Sequence, residues 1–405
     1  MSRSTNRRSR RTALGVASLL SVVSLAACGS DGDSDAGSDT EIIVGAYGPL
    51  TGPAASLSVL YDAQKAYYEE LNANGGIDGL KVKLVVKDDQ LNPANTPAAA
   101  RQLVESDKAA LLCGSAGSPT TMAVKSYLEQ RKVGIVPGAG SSELAGETSF
   151  LLVPDYLQLG AQLAEYAAEE AGATKVAIAY TDDSVGQPTL AGAKWQMEQL
   201  GLELVAEVAF NGTAPDQSAT VAKLKDSGAD FVIINNTAPV ISQVFKAAEK
   251  IGFAPTWGAT WPSQTKALLE LAGSSLETGN IVFSTPFVLG TSEAAADFRR
   301  VLDERAPDVD QTDTIAMLGW SVADACTEVL KRAVEANDGE VPSSEEVVES
   351  MPGTTLDDGV VNGLAWTEED HSGQKKAMIV GLEDGEFVEL TEFDDLPDVP
   401  VSASE

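Results

Sequence analysis

The sequence predicts an α/β protein of two doubly wound lobes, and three observations predict it. Short apolar runs alternate with stretches whose apolar residues fall at helical spacing, Gly-rich turns punctuate them, and the alternation comes in two series divided near Asp155. Strands that alternate with helices in this way form parallel sheets, because a parallel neighbour is reached through a crossover long enough to hold a helix.

In the first series, Ile42-Ile43-Val44 reads as a strand. Leu57, Leu60, Ala63, Tyr67 and Leu71 then mark one face of a helix that stops at Gly75-Gly76. Val82 to Val86 is the next strand, with a helix from Thr96 to Ser106. Ala109 to Leu112 follows with a helix from Pro119 to Arg131, and then the strand Gly134-Ile135-Val136. The second series runs as a helix to Glu170, strand Val176 to Tyr180, helix Thr189 to Leu200, strand Glu203 to Phe210, helix Ser218 to Lys225, strand Phe231 to Ile234 and helix Val240 to Lys250. Past Pro286 a long helical pattern covers about Ile315 to Glu335, Val360 to Leu390 reads as short strands, and the acidic end from Glu392 is expected to fray.

The N-terminus specifies a compartment. Residues Met1 to Thr12 carry five arginines and no acid, and Ala13 to Ala27 is an apolar run too short for a permanent span of a bilayer. The run ends in Leu25-Ala26-Ala27-Cys28-Gly29, which resembles a bacterial lipobox, so residues 1–27 are expected to be removed and Cys28 to be lipidated. Arg10-Arg11 fits a twin-arginine signal as well as an ordinary arginine-rich leader, and the export route stays open. Residues 28–40 offer almost nothing to bury and form an expected tether reaching roughly 20 Å.

Composition excludes several chemistries. The 405 residues include 60 acids against 28 Lys and Arg, a net charge of −32, which removes the basic footprint that nucleic acid needs and favours a soluble monomer. One histidine and three cysteines exclude multi-His and Cys₂His₂ metal sites, and no cofactor is implied. A phosphate loop of the GxxxxGK[ST] form is absent, and Gly138-Ala139-Gly140 is followed by Glu143 where a dinucleotide fingerprint needs glycine. Gly319-Trp320-Ser321-Val322-Ala323 is the one string like a nucleophile elbow, which a hydrolase could use with His371 later in the chain, and pairs such as Asp88-Asp89 and Asp182-Asp183 are no more than 60 acids supply by chance. Ser321 lies within a helical pattern, however, and His371 within an acidic, solvated turn. No catalytic residue is therefore expected.

Two loops carry more information. Cys113-Gly114-Ser115-Ala116-Gly117-Ser118-Pro119-Thr120 and Pro137-Gly138-Ala139-Gly140-Ser141 both follow strands and open onto helices. Unpaired N–H groups and hydroxyls at such points suit a carboxylate or other polar group, and open α/β sheets bind ligands at the carboxyl ends of their strands.

Ile43-Val44-Gly45-Ala46-Tyr47-Gly48-Pro49-Leu50-Thr51-Gly52-Pro53, Asn72-Ala73-Asn74-Gly75-Gly76-Ile77-Asp78-Gly79 and Asp88-Asp89 resemble the opening of the leucine/isoleucine/valine-binding family, the solute receptors of ABC importers. The similarity continues through Gly134-Ile135-Val136-Pro137, Ala229-Asp230-Phe231-Val232, Leu271-Ala272-Gly273 and Val361-Asn362-Gly363. It implies the type I periplasmic binding protein fold, two Rossmann-like lobes joined by a three-strand hinge. Lobe 1 would take residues 41–155 and 287–352, lobe 2 residues 156–286 and 353–395, with an acidic tail at 396–405. It also implies a small solute held between the lobes, a membrane permease as partner and attachment through Cys28 to the outer face of the cytoplasmic membrane; a ligand-sensing domain for a signalling partner is the alternative.

Carried onto this chain, the family's site falls on Ser115, Gly117, Ser118 and Thr120, on Gly138, Ala139, Gly140 and Ser141, and on Tyr156, Asp183, Val185, Thr237, Thr260 and Trp261. Two departures accompany it. The lobe-2 acid that usually meets a ligand ammonium is replaced by Ala259, Thr260 and Trp261, leaving Asp155, Asp182 or Asp183 as substitutes, and Leu57, Val185 and Thr237 stand where aromatic clamps are common. The family disulfide lacks its second lobe-1 cysteine in the usual region, so Cys113 and Cys326 are expected to be buried thiols.

Overall fold

A computed structural model describes residues 41–400 apart from 277–280, 357 and 362, so the expected leader, Cys28 and the tether lie outside the described residues. The first series builds β1 (Glu41–Gly48), α1 (Val59–Ala73), β2 (Lys81–Asp88), α2 (Thr96–Arg101, continued by a π turn), β3 (Leu111–Ala116), α3 (Ser118–Met122), α4 (Lys125–Arg131) and β4 (Gly134–Gly138). Its strands form one parallel sheet in the order β2-β1-β3-β4. Helices cover both faces, which is why β1 is an unbroken apolar run: Ile42, Val44, Ala46 and Tyr47 are all fully buried.

The second series gives α5 (Tyr156–Glu169), β5 (Lys175–Tyr180), α6 (Gly186–Leu200), β6 (Glu203–Ala209), α7 (Ser218–Asp226), β7 (Phe231–Ile234), α8 (Ala238–Lys250), β8 (Thr256–Thr260), α9 (Lys266–Ala272) and β9 (Ile281–Thr285). Helices α5 and α6 pack so closely that a Cβ at Gly160 would collide with the Thr189 carbonyl and one at Gly192 with the Leu157 carbonyl. The chain then adds α10 (Ala296–Arg305), α11 (Thr314–Ala336) and α12 (Ser344–Ser350) to the first lobe, where α11 packs along α1 and against β3. A small hairpin of β10 (Thr355–Leu356) and β11 (Leu364–Ala365) follows. Finally β12 (Lys376–Glu383), β13 (Glu386–Glu389) and β14 (Asp394–Asp395) complete the second sheet, ordered β13-β12-β9-β8-β7-β5-β6 with β14 also on β12. Strands β5 to β9 run parallel and β12 antiparallel to β9.

The chain thus passes between the two sheets three times. The first and third passages lie side by side: Leu151 N donates to His371 O at 2.9 Å, Gln374 N to Leu152 O at 3.0 Å and Trp366 Nε1 to Leu151 O at 2.7 Å. The last passage comes later than the sequence suggests. Leu356, Val360, Val361, Leu364 and Trp366 all bury themselves in the first lobe's core, so the return to the second sheet follows Gln374 rather than Pro352.

Three expectations need correction. Cys113 on β3 and Cys326 on α11 are joined in a disulfide, Cα to Cα 6.5 Å, and are not free thiols; the late helix packs directly over β3 and brings its cysteine to the strand. The described residues beyond Glu392, up to Pro400, are also ordered. Strand β14 pairs with β12, Leu396 is buried, and Val399 packs against Leu157 and Ala161, so apolar anchors inside an acidic segment hold it down. His371 is not a solvated loop residue either. Its ring stacks on Phe150 at 3.7 Å and Nδ1 donates to Gly146 O at 2.7 Å, because the side-by-side passages draw residue 371 against the first lobe.

Candidate functional site between the lobes

In the first sheet the direction of winding reverses between β1 and β3; in the second it reverses between β5 and β7. Crevices at such reversals, beyond the carboxyl ends of the strands, are where open α/β sheets bind ligands. Apart from Tyr156, the residues expected at the site lie on the last residues of these strands or just beyond them: at β3 and β4 in the first lobe, and at β5, β7 and β8 in the second. Tyr156 opens α5 on the first passage between lobes.

The structure divides these residues into those that hold the loops and those that face the cleft. Ser115 Oγ accepts from Tyr47 N at 3.4 Å, tying β3 to β1. Thr120 Oγ1 donates to the Ala116 carbonyl and, at 2.7 Å, to Gly117 O, closing a turn whose Gly117 has φ +90°, where glycine is favoured. In the second lobe Thr260 Oγ1 donates to Asn235 Oδ1, Asn235 Nδ2 donates to Thr189 Oγ1 at 2.8 Å, and Thr189 Oγ1 donates to Val185 O at 3.0 Å. That buried relay fixes the ends of β7 and β8 against α6 and leaves the Thr260 hydroxyl already in use. Thr237 caps the start of α8 with its backbone, half-buried.

The two candidate acids are similarly engaged. Asp155 caps α5, its carboxylate accepting from Leu157 N at 2.9 Å and Ser142 N at 3.1 Å, and burial holds its pKa above the usual carboxylate range. Asp183 Oδ1 takes three donors, Thr181 Oγ1 at 2.9 Å and the N–H groups of Val185 and Gly186 at 3.0 Å. Asp182 lies outside the cleft, bound by Gln187 Nε2 at 2.7 Å on an exposed turn.

Of the expected site residues, three carry a buried donor without a partner inside the protein: the hydroxyls of Ser118 and Ser141 and the indole N–H of Trp261. Their residues are 1%, 0% and 1% exposed. A buried donor without a hydrogen bond costs about 1–3 kcal/mol, so these three, at the carboxyl ends of the two sheets, are the candidates for ligand contact. Tyr156 links them. Its hydroxyl lies close to Ser118 and the Gly140 backbone, burial pushes its pKa up to about 12, and its ring lies 6.5 Å from Trp261 at 25°. Ala139, Gly140 and Gly138 complete that wall, with Tyr156 N donating to Gly140 O at 2.7 Å. Val185 and Leu57, half-buried, pack on the apolar cluster that contains Tyr156 and Trp261.

Residues that sequence reasoning missed hold Trp261 in place. Phe287 meets its ring edge-on at 5.6 Å, and Thr314 Oγ1 donates to Trp261 O at 2.8 Å and to Gln264 O at 2.7 Å. Phe287 stands directly after Pro286 where the chain leaves β9, a position that marks it only once the passage between lobes is known. Asp313 caps α11 beneath this contact, accepting from Ile315 N at 2.8 Å, and burial pushes its pKa up to about 6. Since the unfolded value is about 3.9, the folded protein binds this proton more tightly, and the associated stability is present below about pH 4 and lost as pH rises through about 6. Asp313→Asn keeps the cap and removes the titration. Urea unfolding at pH 4.5 and 7.5 is expected to show a flatter dependence in the variant and a gain at pH 7.5 of up to about 3 kcal/mol; equal slopes in the two proteins would contradict this assignment.

The sequence profile described as Periplasmic binding protein matches residues 41–386. The chain belongs to the periplasmic binding protein family. Among similar curated proteins, an amino acid binding protein of Pseudomonas aeruginosa is 31% identical over 205 residues, 49% of this chain and 54% of that protein. The Leu/Ile/Val-binding protein of Escherichia coli is 23% identical over 241 residues, 58% of this chain and 66% of the relative. The chain therefore matches little more than half the length of the first of these relatives. Among solved structures, a branched chain amino acid ABC transporter protein of Thermus thermophilus with bound valine superposes with TM-score 0.77 at 21% identity, over 88% of this chain and 96% of that one. A fatty acid ABC transporter substrate-binding protein of Thermomonospora curvata gives 0.80 at 22%, over 88% and 93%. At such identities these two show the shared two-lobed fold.

Proposed function

We propose that the protein is the solute receptor of an ABC importer, binding a small polar solute, an amino acid or a related amide or carboxylate, between its lobes and delivering it to a membrane permease. The observation that carries this reading is the trio of buried donors, Ser118 and Ser141 from the first lobe and Trp261 from the second, on loops at the carboxyl ends of both sheets. A solute that satisfies donors from both lobes favours the closed form over the open one, which is the shape difference a permease can sense. Several relatives carry amino acid binding in their names, and that supports the solute class.

Export and attachment through Cys28 complete the proposal, with the body held as a monomer outside the cytoplasmic membrane. The Cys113–Cys326 disulfide supports the export, since such bonds persist in oxidising compartments. No described helix is long and apolar enough to cross a membrane. Nor does the reading include covalent chemistry. Ser321 lies within α11 with its hydroxyl on Met317 O at 2.8 Å, and His371 is held by Gly146 and Phe150, so each has its own separate partner.

The test removes the orphaned hydroxyls. Ser118→Ala and Ser141→Ala are each expected to weaken solute binding about tenfold by calorimetry, in line with roughly 1–3 kcal/mol for a hydrogen bond lost in a desolvated site. Both are expected to leave the unliganded melting temperature unchanged or raised, because no protein partner loses a bond. A drop in the unliganded melting temperature with binding intact would assign the hydroxyls a structural role and count against the site.

A further inference from the structure

Three groups offer hydrogen bonds to the space between the lobes: the hydroxyls of Ser118 and Ser141 and the indole N–H of Trp261. The indole can only donate. The acids that reach the same region already accept from the protein, Asp155 from two backbone N–H groups and Asp183 through Oδ1 from three donors. Around the donors the walls are apolar: the faces of Tyr156 and Trp261, the edge of Phe287, and Val185. A primary ammonium enclosed here would find as acceptors only helix-capping carboxylates and the neutral, unpartnered Gln264 Oε1, and a buried cation without its own counter-charge is disfavoured.

We infer that the cleft selects solutes with a carbonyl-type acceptor head on a compact apolar body and no charged amine beside it, with Trp261 Nε1 as the group that reads the head. This rests on the receptor reading above and names its solute class. A monocarboxylate and its neutral amide share the required chemistry, since both present acceptor oxygens to the indole and hydroxyls. The aromatic walls suit a branched aliphatic or aromatic body. The α-amino acid of the same skeleton differs only in the ammonium that this site leaves unmatched, so matched pairs isolate the feature.

The experiment titrates the full-length protein by calorimetry with 4-methylvalerate, 4-methylvaleramide, leucine and leucinamide, and repeats the series with 3-phenylpropionate and phenylalanine. At least one acid or amide is expected to bind at least tenfold more tightly than the amino acid of its skeleton, with leucinamide the weakest; whether acid or amide binds better tells an anionic head from a neutral one. Trp261→Phe, which keeps an aromatic ring but removes the N–H and part of the indole's volume, is expected to cost the acid or amide at least tenfold while the protein stays folded. Leucine or phenylalanine binding as tightly as its amine-free partner overturns the inference while the receptor reading stands, and Asp183→Asn abolishing that binding would identify the amine's partner. If none of these compounds binds but another solute closes the lobes, the inference alone fails. If no solute of any class closes them, the receptor reading fails with it.

Discussion

Replacing Trp261 with alanine is expected to raise the dissociation constant of whichever solute binds at least a hundredfold, while each lobe keeps its fold. Trp261 grows from the end of β8 in the second lobe, yet its side chain is buried in the first lobe's apolar cluster beside Tyr156 and Phe287, and its carbonyl is held by Thr314 on α11. Burying a side chain of this size contributes about 3–5 kcal/mol by large-to-small substitution. Because this burial joins a second-lobe residue to the first lobe's cluster, its loss is expected to fall on closure and to appear as affinity, about 1.4 kcal/mol for each factor of ten. Calorimetry measures the affinity, and far-UV circular dichroism with thermal melting verifies the fold. Unchanged affinity in a folded Trp261→Ala protein would show that the indole packs without contributing to closure.

Breaking the Cys113–Cys326 bond is expected to destabilise the protein strongly. The bond joins β3 to α11 across a sequence separation of 213 residues, and the whole of β5 to β9 lies inside the loop it closes. Cross-linking so long a loop removes much of the unfolded chain's freedom, worth about 4–5 kcal/mol in the chain-entropy account. Urea unfolding of the wild type with and without reductant, and of the Cys113→Ala/Cys326→Ala double variant, measures the effect. Coincident transitions would show that packing of α11 on β3 suffices and that the cross-link adds nothing.

The strand–helix alternation is legible in the sequence because both sheets are parallel cores covered on two faces, so their strands read as short apolar runs and their helices as amphipathic stripes. Strand β9 and helices α9, α10 and α12 carry a weaker local signal. They are short or, like α10, strongly charged, and packing against larger neighbours fixes them more than local pattern does. The loops after β3 and β4 are legible as a candidate site because strand ends and Gly/Ser openings can be read locally, whereas the positions at β5, β7 and β8 come only through the family resemblance. Which hydroxyls face the solute cannot be read in the same way. Ser115 and Ser118 are three residues apart in the same loop, and only the three-dimensional path commits the first to Tyr47 and leaves the second free. The disulfide is hidden for the same reason: Cys113 and Cys326 become neighbours only when α11 returns across the first sheet.

The central claim is that two hinged lobes close on a small solute and release it chemically unchanged. Small-angle scattering during titration with a solute shown by calorimetry to bind, followed by mass spectrometry of the recovered solute, tests it most directly. The account predicts a saturable one-to-one decrease in radius of gyration and recovery of the solute intact. A shape that stays the same at saturation, or a solute returned with an altered mass, would contradict it.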